Sequence, residues 1–539
     1  MIALKGAPRN LVVARQVEIH KPELDPFLSC LEREGYFRVV EENGTKQIRP
    51  ATTRVGTGEG VPSIPVNQAQ QWYTSNPSGI SDQWLNYFGP FVVTALFLER
   101  RLVATAQVGI IDFETPPQQD LHALYLNDEA KKELLAETRD TFGRPVWPDT
   151  SKGNLLTLRV SSHRDSPIIE DRLSPQKMMA YRTIESEGDG LKSYVATCIA
   201  LLLGRRPVCV VDEPEMCLHP PQAYSLGRFI GRFGSSSDRV TFVATHSSHV
   251  LRGVIEAGPQ KLQIVRLVRR GEGFEAHLVQ SATLADALKK PAVRAESMLD
   301  GIFSQAVVVL EADTDRTVYQ ATLETLRETI PLDIHFSTVG GSGGIADTCH
   351  LYRTLKIPVA VIADLDVLVD SERLRQVLAR LVDDDGSVEP LMDRAVDVGN
   401  KIKLIPPSVT PDEVQDRLRQ VLSAEMDWSK ARDAAVCRQL RKIANDLDRI
   451  KRLKRGGVAA LPPELEGTVN GIVQDLSRYG LFLVPVGELE QWFDQSEVPV
   501  SKENKWGWAN AAAAYISNAG PRGGGVWQFI EGVARFLGQ

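Results

Sequence analysis

The residues best suited to chemistry are acids standing at the ends of short apolar runs. Pro207–Val211 (PVCVV) runs into Asp212 and Glu213 and continues as PEMCLHP. A Val-rich run of that length reads as a buried parallel strand. Two acids at its tip can divide the work of nucleoside-triphosphate hydrolysis. One carboxylate helps hold Mg²⁺ through water, and its neighbour orients or deprotonates the attacking water. A second run, Arg239–Thr245 (RVTFVAT), ends in His246, where an imidazole can sense a γ-phosphate. Upstream, Glu185–Tyr194 (ESEGDGLKSY) is an acidic turn containing Ser186 and Gly188, followed by an apolar helix over Tyr194–Leu203. Glycines before a helix let backbone N–H groups approach a phosphate, and the helix dipole adds to the attraction.

A second acidic group lies further on. Ala306–Leu310 (AVVVL) is followed by Glu311, Asp313 and Asp315, with a helix expected over Arg316–Thr329. A strand at Ile334–Val339, a Gly turn and a helix at Ile345–Leu355 lead to Pro358–Ala363 (PVAVIA), which ends in Asp364 and Asp366. Parallel α/β sheets bind ligands at the carboxyl ends of their strands. Alternate residues off one strand tip can face the same site. Carboxylates gathered there without a basic partner repel one another, which raises their pKa values. Divalent cations would offset that repulsion, so Glu311, Asp315, Asp364 and Asp366 are candidate metal ligands.

The Gly turn, acidic strand and His strand, in that order over residues 181–251, resemble the second half of an ABC-type ATPase of the SMC and RecF kind. They stand as its signature loop, Walker B with D-loop, and switch histidine. The resemblance implies Ser186, Gly188, Asp212, Glu213 and His246 as ATP contacts, with Glu213 catalytic. A Rossmann-like strand ending in acids would explain Asp212 and Glu213, but not the LHP and THSS elements. The second group resembles a Toprim domain, with Glu311 as the family glutamate and Asp364 and Asp366 as its DxD. Ala312 stands where that family often has Gly. Haloacid-dehalogenase phosphatases also use DxD after a strand, but Val367–Leu368 does not supply the Thr their motif needs.

The two together look like the OLD (overcoming lysogenization defect) family, which includes the Gabija nuclease and some retron-associated effectors. The resemblance runs from Tyr181 to about Trp508. It implies an endonuclease that cuts or nicks DNA with two Mg²⁺ or Mn²⁺ ions, one activating water and the other stabilising the leaving oxygen. It also implies regulation by the ATPase part, and a role in defence against phage. A strand at Leu481–Val486 ends in Gly487-Glu488-Leu489-Glu490, similar to family members. Glu488 would complete the second metal site, and Glu490 would face the following helix. The competing reading for both is an acid at a helix N-terminus, favoured for Glu490 and not for Glu488. Lys505 stands where the family often has a Lys near the metals, able to stabilise transition-state phosphate charge.

The elements that must carry these residues form an α/β chain. At 539 residues it is too long for one core. We expect an ABC-type ATPase domain over 1–289 and, over 290–539, a Toprim domain with a Rossmann-like parallel sheet and a helical insertion at about 371–476. Strands are expected at Leu11–Ile19, Phe37–Glu41, Phe91–Glu99, Leu102–Ile111 and Leu155–Ser161, and helices at Pro22–Glu34 and Glu129–Asp140. Arg54–Val66 reads as loop, and so does the stretch holding His163, Arg164 and Arg172. Pro259–Ser281 reads as a hairpin closing the ATPase sheet, and Ala282–Ala295 as a helical linker. Within the insertion, helices are expected at Glu372–Leu381, Pro411–Ala424 and Trp428–Arg455. The last ends in the basic run Arg449, Lys451, Arg452, Lys454 and Arg455, able to meet phosphates or simply to suit a helix C-terminus. Gly456–Pro463 reads as loop and Val526–Leu537 as a closing helix.

No GxxxxGK[ST] phosphate loop occurs; Gly56–Gly60 and Gly340–Gly344 lack the Lys. Either the chain begins after its phosphate loop or has lost it, and ATP turnover by this chain alone is in question. Head-to-tail pairing in a homodimer or larger assembly is implied by the resemblance, yet a homodimer would not supply that loop. With a net charge of −7, nucleic-acid binding must come from local patches or metal sites. Six scattered Cys without a CxxC pair suit reduced thiols in a cytoplasmic protein. No apolar run is long enough for a membrane span, and no signal-peptide core opens the chain. Two other readings compete with the DNase. One is a non-catalytic, nucleotide-sensing regulator of a partner effector; the other is a Toprim RNase acting on tRNA.

Overall fold

The computed structural model describes residues 24–33, 37–50, 63–75, 83–84, 87–88, 93–111, 119–162, 175–203, 208–234, 239–258, 262–270, 273–279, 296–339, 344–382, 385–406, 409–423 and 430–538. The fold is mixed α/β, with parallel and antiparallel sheets. The chain divides into two compact units, Met1–Ser281 and Ala282–Gln539.

In the first unit, β1 (Phe37–Glu42), β2 (Thr45–Pro50) and β3 (Ile64–Pro65) form an antiparallel sheet. The helix before it spans Leu24–Arg33. Next comes β4 (Val93–Leu96), then an antiparallel group in which β5 (Val108–Gly109), β6 (Val146–Asp149) and β8 (Arg182–Thr183) each pair with β7 (Leu155–Val160). The functional strands are β9 (Val208–Asp212) and β10 (Val240–Ala244), which join β4 in a parallel sheet ordered β10-β9-β4. In register, Ala244 stands beside Asp212, so both strands end together. The helix Asp189–Leu203, buried along most of its length, packs beneath this sheet with Phe229 and Ile230.

Two expectations are corrected here. Leu102–Ile111 is not a strand. Leu98–Val103 is a helix, and only Val108–Gly109 pairs as strand. Leu, Glu and Arg favour helix, and the helix turns Arg101 inward, where it is completely buried. The hairpin β11 (Ile264–Arg270) and β12 (Gly273–Val279) forms as expected, but as a two-stranded sheet of its own. Its strands pair along their full length and stand only two residues apart in the chain, which costs little loop-closure entropy. Among the described residues neither strand joins β10.

The second unit is built on a parallel sheet. Its strands are β13 (Ala306–Leu310), β14 (Ile334–Thr338), β15 (Val359–Ala363) and β16 (Leu481–Leu483), ordered β14-β13-β15-β16. Every residue of β13, β15 and β16 is buried; β13 and β15, the Val-rich central strands, are covered on both faces as such strands should be. One face packs against the helices Asp313–Thr325, Lys505–Ala519 and Gly525–Leu537, with Tyr319, Trp508 and Trp527 in the core. Trp527 Nε1 donates to Thr325 Oγ1 at 3.1 Å.

Between β15 and β16 lies the helical insertion. Ser371–Leu381 and Pro411–Ser423 match expectation. Asp385–Leu404 and Pro463–Ser477 are further helices that the periodicity did not reveal. The long basic helix is two helices, Lys430–Leu447 and Arg449–Gly456. The break is at Asp448, whose side chain accepts from the backbone N–H groups of Ile450 and Lys451 and so caps the second helix. The first-domain helix starts at Asp189 rather than Tyr194, and the helix after β13 at Asp313 rather than Arg316. Leu11–Ile19, Ala282–Ala295, His163, Arg164 and Arg172 lie outside the described residues, as does most of Arg54–Val66. Among the described residues no helix is long and apolar enough to cross a membrane.

Candidate functional site

Three neighbouring strand ends of the second unit bring the acids together. Glu311 follows β13, Asp364 and Asp366 follow β15, and Glu488 and Glu490 follow β16. The strands are parallel, so all their carboxyl ends lie along one edge of the sheet. The backbone ties two of these tips directly: Leu365 N–H donates to Gly487 O at 2.9 Å. Asp315 enters from the first turn of the following helix, its Oδ2 accepting from Ala312 N–H at 3.3 Å. Asp313 is tied elsewhere, accepting from Thr338 Oγ1 and pairing with Arg316.

The electrostatics register the crowding. Burial, then Asp364, Glu490 and Glu311, push Asp315 up to about 7. Burial raises Asp364 to about 6; Lys454 opposes this, while Asp366 and Glu488 add to it. Glu490 is only 5% exposed and faces Lys505 on the following helix, with Nζ–Oε1 3.5 Å. Burial works against the charge on Lys505, but Glu490 and Glu488 outweigh it and raise its pKa. Glu488 Oε1 accepts from Gln491 Nε2 at 3.3 Å.

The acids are not without basic partners, as the sequence reading supposed. Lys454 Nζ lies 3.1 Å from Asp364 Oδ2 and 3.0 Å from Asp366 Oδ2, bridging the DxD pair. Burial opposes its charge, but the two carboxylates prevail and raise its pKa. Arg373 Nη2 holds Glu311 Oε2 at 2.8 Å. These two cations come from the insertion, Arg373 62 positions from Glu311 and Lys454 90 from Asp364. Nothing in the periodicity singles them out; the basic run alone pointed to the neighbourhood of Lys454.

The donor set suits a hard divalent ion: carboxylate oxygens, crowded enough to resist ionisation together. Asp366 Oδ1 is buried and has no hydrogen-bond partner, an oxygen with spare capacity inside the cluster. Among the described residues, however, no three His, Cys, Asp or Glu side chains stand at the spacing of a single ion's ligands. Glu311, Asp364 and Asp366 are engaged by cations of the chain itself.

In the first unit the acidic strand ends in a tight turn. Glu213 adopts a left-handed backbone, φ 43°, uncommon for a residue with a side chain. Its N–H donates to Ala244 O at 2.8 Å, which locks the β9 and β10 tips together. His246 Nδ1 stands 3.6 Å from Glu213 and 3.3 Å from Glu215. Glu215 also accepts from Thr245 Oγ1 at 2.7 Å and from His246 N–H at 3.0 Å. Asp212, Glu213 and His246 are therefore neighbours.

Arg101, which the sequence reading passed over, holds this turn from beneath. Its guanidinium donates to the carbonyls of Leu96 and Asp212 at 2.6 Å, of Glu213 at 2.9 Å, and to Ser193 Oγ at 2.8 Å. Burial lowers its pKa against the pull of Asp212 and Glu215. Ser186 Oγ donates to Thr183 O within its own turn, and no described hydrogen bond or ion pair joins Ser186 or Gly188 to Asp212, Glu213 or His246. The glycine that packing requires is Gly190, where a Cβ would come within 2.3 Å of Cys217 O.

Comparison with known proteins bears on the first part of the second unit. Residues 302–366 match the family described as Overcoming lysogenization defect protein-like, TOPRIM domain. The chain carries an OLD-like Toprim domain. No curated protein matches the sequence. Solved structures similar to this chain include one described under "Structural biochemistry of ATP-driven dimerization and DNA stimulated activation of SMC ATPases". It is 10% identical, with TM-score 0.22, over 32% of this chain and 98% of that one. Another is an SmcHead bound to the C-winged helix domain of ScpA. It too is 10% identical, with TM-score 0.27, over 38% of this chain and 62% of that one. A likeness of that degree says nothing of what a chain binds. The matched span takes in Glu311, Asp315, Asp364 and Asp366, while Glu488, Glu490, Lys505, Arg373 and Lys454 lie beyond it.

Proposed function

We propose that the Toprim domain is a metal-dependent phosphodiester hydrolase that cuts or nicks DNA. Glu311, Asp315, Asp364, Asp366 and Glu488 would hold Mg²⁺ or Mn²⁺. Such ions supply activation of water and stabilisation of the leaving oxygen. Lys505, whose ammonium Glu490 keeps charged and in place, offers a cation to the charge developing on the phosphate. The observation that carries this reading is the convergence of acids from three adjacent parallel strand ends, with Asp315 pushed upward by burial and Asp364, and Asp364 pushed upward by burial, against Lys454, with Asp366 and Glu488 adding to it.

The first unit is, in this proposal, an ABC-type ATPase half that binds ATP and regulates the nuclease. Asp212 and Glu213 serve Mg²⁺ and the attacking water, His246 the γ-phosphate, and Ser186 and Gly188 the nucleotide of a partner subunit. The protein would act as a homodimer or higher oligomer in the cytoplasm, in antiviral defence, and the nucleotide met by Ser186 and Gly188 would need a partner subunit that carries a phosphate loop, which a homodimer of this chain would not supply. The second reading is a non-catalytic regulator bound to an effector protein. The ion pairs of Lys454 and Arg373, which already neutralise part of the acid cluster, favour it.

Incubating the protein with supercoiled plasmid and with tRNA, in Mn²⁺ or Mg²⁺, separates the readings. Plasmid nicking by the wild type and its loss in Asp364→Ala are expected. Cutting of tRNA alone would make the protein an RNase; cutting of neither substrate would leave the regulator.

A further inference from the structure

Of the basic side chains described in the helix Arg449–Gly456, one points inward. Lys451, Arg452 and Arg455 are exposed, whereas Lys454 reaches the two carboxylates of the DxD pair. Three independent features seat it there. Asp448 caps the helix and gives it its own direction. Leu453, next to Lys454, is buried. Two glycines with left-handed backbones close the seat from both sides. At Gly487, φ 108°, a Cβ would lie 2.1 Å from Lys454 O; at Gly457, φ 60°, one would lie 2.4 Å from Pro485 O. Val458 N–H then donates to Pro485 O at 2.9 Å. The helix is thus built against the turn that bears Glu488, with its lysine delivered to Asp364 and Asp366.

A single ammonium between two carboxylates relieves their repulsion only in part, and it leaves Asp366 Oδ1 buried without a partner. A divalent cation would carry twice the charge and accept more oxygen donors. Two cations do not share one carboxylate pair at contact distance without strong repulsion. We propose that Lys454 is a built-in counter-ion that competes with the divalent cation for Asp364 and Asp366. Loading of the metal and release of the helix Arg449–Gly456 are then one event. Release turns the lysine, with Lys451, Arg452 and Arg455 beside it, into a basic arm next to the loaded site, where a nucleic-acid phosphate can meet it. This rests on the metal-hydrolase reading of the Toprim domain.

The test is Mn²⁺ binding to the full chain, followed by calorimetric titration and by electron paramagnetic resonance of free Mn²⁺, for wild type, Lys454→Gln and Lys454→Arg. Lys454→Gln should bind Mn²⁺ about tenfold more tightly than wild type, and Lys454→Arg should not. Hydrogen exchange on the unaltered protein gives a readout that needs no variant: amides of residues 449–457 should exchange faster once Mn²⁺ is added. Equal or weaker Mn²⁺ binding by Lys454→Gln, or exchange at 449–457 indifferent to Mn²⁺, overturns the competition and leaves the hydrolase reading standing. Absence of Mn²⁺ binding in all three proteins overturns both.

Discussion

Asp315 is the residue whose environment has the clearest measurable consequence. Its carboxyl moves from 3.8 to about 7, chiefly through burial and secondarily through Asp364. The folded state therefore holds its proton more tightly than the unfolded chain does. The stability this contributes is complete below about pH 4 and is lost as pH rises through about 7. In EDTA, the melting temperature of the second unit should fall across that window. Asp315→Asn should flatten the fall and stabilise the metal-free protein at pH 8 by up to about 4 kcal/mol; thermal denaturation from pH 4 to 8 measures both. Arg101 works in the opposite sense, as a buried cation whose value is the carbonyls it satisfies. Replacing it with Met strands the carbonyls of Leu96, Asp212 and Glu213 and should cost the first unit about 3–5 kcal/mol. A calorimetric scan in which the first unit melts unchanged would show that water can take its place.

At the scale of the element, the short helix Arg449–Gly456 depends on glycines outside it. Gly487→Ala places a Cβ against Lys454 O on a left-handed backbone, a change that should cost about 1–3 kcal/mol. The expected outcome is local: faster hydrogen exchange and easier proteolysis around 449–458, with the β13–β16 sheet intact. Protection in that segment equal to wild type would mean that the turn can shift without the helix. The same element shows where periodicity misleads. Trp428–Arg455 has a helical pattern throughout, yet Asp448 divides it, because a capping side chain competes locally with helix continuation. Leu102–Ile111 misleads in the other direction. Its β-branched content suggested a strand, but the chain spends Leu98–Val103 as helix to bring Arg101 under the β9 turn.

At the scale of the whole molecule, the chain divides into two compact units. Scanning calorimetry should resolve two transitions. Mn²⁺ at a hundred times its Kd should stabilise only the second, by about 2.7 kcal/mol, and ATP, if it binds, only the first. A shift of both transitions by Mn²⁺ alone would place a second metal site in the first unit.

What the sequence by itself determined was local and repetitive. Val-rich runs announced the parallel strands, and their ends announced Asp212, Glu213, Glu311, Asp364, Asp366 and Glu488, because a strand tip is defined by the residues next to it in the chain. The Toprim reading of Glu311 and the DxD pair came from their resemblance to that family. Only the tertiary structure decided what stands opposite those acids. Lys454 and Arg373 come from an insertion whose own pattern says solvated helix, and Arg101 from the gap between two stretches that read as strands. Ion pairs between residues sixty to a hundred positions apart leave no period in a sequence; they are set by how helices seat on the sheet, and here by two glycines that allow the seat.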